Sequence, residues 1–188
     1  MNDFPRNMAV KGLSPTSELI TIGVDTPTFG SAMVQKSVDL QLNPLDKEVF
    51  VLQAVEYDFA GTLADSDIEA TNAGEVILYR VSVSSTSRTA IGDLSEPNVF
   101  STGHLGLGNN SPAGDVVGFD TQQKPDTSAS FLPYIGILAT SDFFVQTISE
   151  NDANATTDAA SLRIYGYRAK VSDAAIYASL VQSEALSS

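Results

Sequence analysis

The sequence predicts an all-β fold, an antiparallel β-sandwich of about eight strands with a short C-terminal helix. Three observations predict it. Apolar residues recur with period two through most of the chain. Clusters of Gly, Pro, Asn, Asp and Ser interrupt those runs at strand-like intervals. The alternating α and β segments of a parallel sheet are missing, as is any long helical pattern. At 188 residues, 43% of them hydrophobic, the chain fits one domain with a sizeable core.

Residues 1–16 read as a flexible N-terminal arm and residues 17–188 as the sandwich. Val38, Leu40 and Leu42 alternate with Asp39 and Gln41, the pattern of a half-buried strand. Asn43-Pro44-Leu45-Asp46 is turn chemistry, with proline fixing φ at the second position. From Glu48 to Phe59 the pattern changes midway. Val49, Phe50, Val51 and Leu52 are apolar on both faces, whereas Val55, Tyr57 and Phe59 alternate with Glu56 and Asp58. Residues 37–59 therefore read as a hairpin whose middle is covered on both sides.

Gly61 to Gly74 is small, polar and acidic, hence a loop. Glu75 to Ser84 alternates again, with Ile77, Tyr79, Val81 and Val83 on one face. Residues 85–127 are rich in Gly, Pro and Asn, with short strands expected at 98–102 and 115–119 inside a long excursion. Strands are expected again at 131–140, 142–149 and 161–171, with a polar loop at 150–160. Ser172 or Asp173 can cap a final helix, in which Ile176, Tyr177, Leu180 and Val181 give a stripe at helical spacing.

Composition excludes several functions. Zero cysteines rule out disulfides, thiolate zinc sites and cysteine nucleophiles. No run of 18 apolar residues is present to span a membrane, and the first residues do not read as a signal peptide. The net charge is −13, from 23 acidic and 10 basic residues, and residues 1–36 hold only Arg6, Lys11 and Lys36 as bases. Nucleic-acid binding needs clustered cations against phosphates, so no direct nucleic-acid contact is expected. Arg163, Arg168 and Lys170 form the one small basic cluster, read as a solvated strand face.

No catalytic constellation stands out in the sequence, and no enzyme is expected. The sole histidine, His104, stands in Gly103-His104-Leu105-Gly106-Leu107-Gly108, whose glycine spacing is not the dinucleotide fingerprint. Asp65, Asp67 and Glu69 sit at alternate positions in an acidic loop, a spacing that can aim oxygens at calcium, against the alternative of a solvated loop. Glu150, Asp152 and Asn154 invite the same two readings, a calcium site or a solvated acidic loop. Asn109-Asn110-Ser111 and Asn154-Ala155-Thr156 are glycosylation sequons only in a secretory setting. Phe143 and Phe144 must point to opposite faces of one strand, while Tyr165 and Tyr167 share a face of another. With Phe50 and Leu52 these aromatics form the expected set of interface residues, against the alternative of core packing.

Four segments carry a resemblance. Asn43-Pro44-Leu45-Asp46-Lys47-Glu48-Val49-Phe50-Val51, Ser85-Thr86-Ser87-Arg88-Thr89, residues 135–144 (IGILATSDFF) and Tyr165-Gly166-Tyr167-Arg168-Ala169-Lys170, the last continuing into residues 176–184, resemble the virion coat proteins of small icosahedral marine viruses or phages. The likeness spans residues 37–184. It implies a jelly roll whose function is to tile an icosahedral shell, with partners that are copies of itself and other virion proteins, located in the capsid. It also implies that single subunits leave the side chains of 49–52 and 143–145 unburied. The sequence departs from many such coat proteins in lacking a basic arm. A second class of function, a β-sandwich module recognising glycan or host surface through loops 61–74 and 101–127, fits the same composition.

Overall fold

The computed structural model describes residues 12–59, 76–109, 116–122, 126–127, 134–150 and 159–186. They form two antiparallel sheets. The strands are β1 (Leu13–Pro15), β2 (Ile20–Asp25), β3 (Val34–Asp39), β4 (Glu48–Asp58), β5 (Val76–Ser84), β6 (Val99–Asn109), β7 (Val116–Gln122), β8 (Asp126–Thr127), β9 (Gly136–Leu138), β10 (Asp142–Glu150) and β11 (Ser161–Val171), and the helix is α1 (Ala174–Leu186).

In the first sheet β11 lies between β4 and the collinear pair β1 and β2, and β8 and β9 pair with the far side of β4. The second sheet has the order β3-β10-β5-β6-β7. The two ends of the chain therefore meet twice, β2 with β11 and β3 with β10, while β2, β3 and β4 fall in alternate sheets. This wrapped Greek-key path is a jelly roll.

The topology corrects the hairpin reading of residues 37–59. β3 pairs with β10 and β4 with β11, so the chain crosses from one sheet to the other between them. Period-two patterning fixes which face each strand buries but not its partner, and here the partners come from the far end of the chain. The crossing is a 3-10 turn at Pro44–Asp46, where Asn43 Oδ1 accepts the Leu45 N–H at 3.1 Å and Lys47 adopts φ 52°. Residues 13–15, expected within the N-terminal arm, form β1, which pairs Leu13 with Val171 and buries Leu13. Residues 1–11 lie outside the described residues.

Two apolar clusters explain the double-faced start of β4. Phe50 and Leu52 point into the sandwich with Val55, Tyr57 and Phe59, against Tyr79, Val81 and Phe143 of the other sheet. Val49 and Val51 point the opposite way, joining Leu13, Ala169 and Val171 beneath Tyr177, Leu180 and Val181 of α1. The inward positions change from even to odd numbers because β4 carries a bulge. Tyr165 pairs with Ala54 and Gly166 with Leu52, leaving Gln53 as the extra residue. Asp173 caps α1, its Oδ1 accepting the Ala175 N–H at 2.7 Å.

The glycine-rich segment 103–108, expected as loop, belongs to β6. Glycine serves there as clearance: a β-carbon on Gly103 would stand 2.8 Å from the ring of Tyr57 across the sandwich.

Candidate functional site

The expected interface residues separate by strand parity. Phe50, Leu52 and Phe143 are at most 1% exposed and belong to the sandwich core, which corrects their assignment to a subunit contact. Val145 is buried in the same core, and Val49 and Val51 are buried on the other side of β4, in the cluster beneath α1. A side chain already enclosed by its own chain has no surface left for a neighbour. Phe144 is half-buried and faces outward on the second sheet, as do Leu78 and Ile148 nearer the other end of the β5–β10 ladder. Tyr165 and Tyr167 share the outer face of the first sheet. Tyr165 donates its hydroxyl to Glu56 Oε2 at 3.0 Å. Tyr167 packs beside the α1 cluster, and burial, with nearby Tyr134 as the smaller cause, pushes its phenol above the usual range.

Asp65, Asp67 and Glu69 lie outside the described residues, as do Asp152 and Asn154. Glu150 is described, and its carboxylate meets Arg80 at 3.0 Å. Among the described residues no group of three His, Asp or Glu side chains is placed to hold a metal ion. His104 sits on the outer face of the second sheet, in register with Arg80.

The most constructed surface feature is the connection between β5 and β6, residues 85–98, which folds back over the outer face of the second sheet. Beneath it lies Gln146, 0% exposed although it points away from the sandwich core. Gln35, Gln146 and Ser82 are in register across β3, β10 and β5. Gln146 Oε1 accepts from Ser82 Oγ at 2.8 Å, and its Nε2 donates to Gln35 Oε1 at 3.0 Å and Ser84 Oγ at 2.8 Å. The loop closes this row from above. The Arg88 N–H donates to Gln35 Oε1 at 2.8 Å, the Gly92 N–H to Ser82 Oγ at 3.0 Å, and Gln35 Nε2 to Ser87 Oγ at 2.9 Å. A buried amide with all these bonds made specifies one loop position, because any shift strands polar groups out of water.

Arg88 holds the loop together from within. Its guanidinium donates to both Glu96 carboxylate oxygens at 2.5 Å and to Asn98 Oδ1 at 3.0 Å. Glu96 also accepts the Asp93 N–H at 2.9 Å. That backbone bond, followed by the Arg88 bond, holds the Glu96 carboxyl below its usual range. Asp93 is lowered as well, chiefly by the Ser95 N–H. A groove of about 420 Å3 runs over this loop between Thr86–Ala90 and Glu96–Asn98. Leu94 stands in the turn closed by the Glu96 N–H to the Asp93 carbonyl and is 57% exposed.

Sequence reasoning missed Gln35, Arg88 and Gln146. Only Gln146 left a trace, as a polar residue between Phe144 and Ile148 on the outward positions of β10. Nothing local signals its burial, since the cover comes from residues 85–98.

A second groove, about 590 Å3, opens on the outer face of the first sheet between β2, β11 and β4. Asp25 and Asp58 flank Ser161 in one cross-strand row, and Gly23 and Glu56 flank Arg163 in the next. Ser161 Oγ donates to Asp25 Oδ1 at 2.9 Å, and Arg163 lies 3.6 Å from Glu56.

No family model matches the chain, and no curated protein matches its sequence. Solved structures do match in fold. The VP1 protein of Trichodysplasia spinulosa-associated polyomavirus, in complex with GM1 oligosaccharide, gives a TM-score of 0.53 at 9% identity, covering 85% of this chain and 97% of that one. VP1 of Merkel cell polyomavirus, in complex with disialyllactose, gives 0.53 at 9% identity over 85% and 98%. The VP1 pentamer of Human polyomavirus 6 gives 0.53 at 12% identity over 85% and 98%. At these identities the likeness is one of fold, the jelly-roll sandwich reached above from the strand order.

Proposed function

We propose that this chain is a structural virion protein, a self-assembling capsid subunit that tiles an icosahedral shell. The observation that carries the reading is the jelly-roll path itself, with β2, β3 and β4 in alternate sheets and both chain ends paired, in common with VP1 proteins, one of which is described as a pentamer. Jelly rolls of this kind recur as capsid domains. The segments resembling coat proteins of small icosahedral marine viruses or phages support the finer placement. The partners are copies of the chain and other virion proteins. The charge of −13 and the few bases in residues 1–36 support a subunit that leaves the genome to another component. Asp65, Asp67 and Glu69 are the proposed calcium ligands, tested by calcium titration of the wild type against Asp67→Asn.

Negative-stain electron microscopy and analytical ultracentrifugation of the purified chain test the main reading. Closed rings or shells are expected as salt is raised. A monomer at every protein, salt and calcium concentration would overturn it. A second reading, glycan recognition, is supported by neighbours solved with oligosaccharides. Saturable binding on a glycan array would favour it. Most of residues 101–127 belongs to β6 and β7, so the loops left for that role are the connections between strands.

A further inference from the structure

Among the described residues β3 pairs only with β10, and β2 only with β11, so each is an edge strand of its sheet. Lys36 Nζ on β3 donates to the Asp25 carbonyl on β2 at 2.6 Å, so the two edges face each other on one open side of the sandwich. Backbone groups of successive strand residues point to opposite edges. The Leu40 N–H turns to the Ser141 carbonyl, so those of Gln35 and Ser37 turn to the open edge. On β2 the Thr26 N–H turns to the Ala160 carbonyl, which leaves the Asp25 carbonyl aimed the other way.

Such an edge is a template for a further strand. Here the side chains along it are also apolar. Ile20 and Ile22 of β2 and Val34 and Val38 of β3 are half-buried against the core, and a strand added to β3 would cover them further.

Lys36 stands in the middle of that seam. It pairs across the ladder with the core residue Val145, on the inward side it shares with Val34 and Val38. Its stem lies over apolar surface while its ammonium leaves at the open side. A charge pointing inward on an edge strand opposes pairing with another chain. An antiparallel two-fold pairing of β3 with itself, centred on Lys36, sets ammonium directly against ammonium. Centred on Ser37, it sets each ammonium against Val38 of the other copy. Both registers press the charge into a desolvated seam.

We propose that Lys36 is a strand-edge guard, whose ammonium straps β3 to β2 and bars the β3 edge from pairing with β3 of a second copy. The guard leaves other surfaces free to make contacts, and it holds whether or not the chain forms a shell.

The test compares the full-length wild type with Lys36→Met, Lys36→Arg and Lys170→Met. Lys170 bonds Asp46 at 2.9 Å, and its loss changes the net charge equally, so Lys170→Met is the control. Sedimentation across a protein concentration series reads association, and amide hydrogen exchange locates it. Lys36→Met should associate at a concentration about tenfold or more below the wild type, a difference of about 1.4 kcal/mol. Exchange at the Gln35 and Ser37 amides should slow as it associates. Lys36→Arg and Lys170→Met should match the wild type in both readings. Thermal melting checks that each variant folds, and Lys36→Gln takes the place of Lys36→Met if that variant does not. The guard is wrong if the neutral variant associates no more readily than Lys170→Met, or if it associates while Gln35 and Ser37 exchange as in the wild type. Association of Lys36→Arg to the same extent would overturn the role of the charge. A wild type that never forms shells would overturn the capsid reading and leave these comparisons intact.

Discussion

Gly166 and Phe50 occupy one volume between them. A β-carbon on Gly166 would stand 2.5 Å from Cζ of the Phe50 ring and 2.5 Å from the Val51 carbonyl oxygen. The relationship sits beside the bulge at Gln53, where β4 changes the face it turns inward. Gly166→Ala should therefore destabilise the subunit by about 1–3 kcal/mol, the cost of overpacking a filled core. Phe50→Leu in the same chain should recover part of that loss. A urea titration of the two single variants and the double variant checks it, and strict additivity would remove the steric account.

The bulge also shows how much of the fold could be read in advance. The apolar positions 50 and 52 followed by 55, 57 and 59 already encode a change of face, and a covered outer side at 49 and 51 followed from the same run. β5, β10 and β11 lie within a residue or two of their expected bounds, because each is a long alternating run. β2 was not expected, although Ile20, Ile22 and Val24 alternate with Thr21, Gly23 and Asp25. β6 was not readable. Gly103 and Gly106 lie within that strand, and the ring of Tyr57, which makes Gly103 necessary, is 46 residues away in the chain. Strand partners and the fold-back of residues 85–98 are likewise tertiary facts. The site suffered most, because period two cannot tell a core aromatic such as Phe143 from an outward one such as Phe144 without knowing which sheet face is covered.

Gln146→Leu keeps the size of the side chain and removes its bonds to Ser82, Ser84 and Gln35. Stripping partners from a buried polar row costs about 1–3 kcal/mol. Chemical denaturation should show a loss in that range. Limited proteolysis of the folded variant should cut first within residues 85–98, which the intact row protects. An unchanged stability with an uncut loop would mean that Gln146 does not hold it.

The loop should also respond to acid. The carboxyl of Glu96 titrates below its usual range because the Asp93 N–H and the Arg88 guanidinium bond its charged form. A depressed carboxylate contributes stability that is fully present above the unfolded-state pKa and is lost as pH falls through the folded value. The latch should therefore hold throughout the neutral and weakly acidic range and loosen only below the ordinary glutamate range. Hydrogen exchange of loop amides across a pH series, corrected for intrinsic rates, reads this directly. Glu96→Gln should show faster loop exchange already at neutral pH and a flatter pH dependence.

Helix α1 gives the last test. Tyr177, Leu180 and Val181 pack on the cluster that includes Val49, Val51, Ala169 and Val171, so removing residues 174–188 uncovers the outer face of β4 and β11. Each large aliphatic side chain returned to water costs about 1.5–3 kcal/mol, so the truncated chain should melt well below the wild type and bind a hydrophobic dye. Ile176→Asp alters a side chain that is 47% exposed on the same helix and should leave both readings near the wild-type values. A truncated chain that melts with the wild type and binds no dye would show that the valines of β4 are enclosed without the helix. The contrast between the two variants separates the helix as a cover for its own sheet from the helix as a surface for anything else.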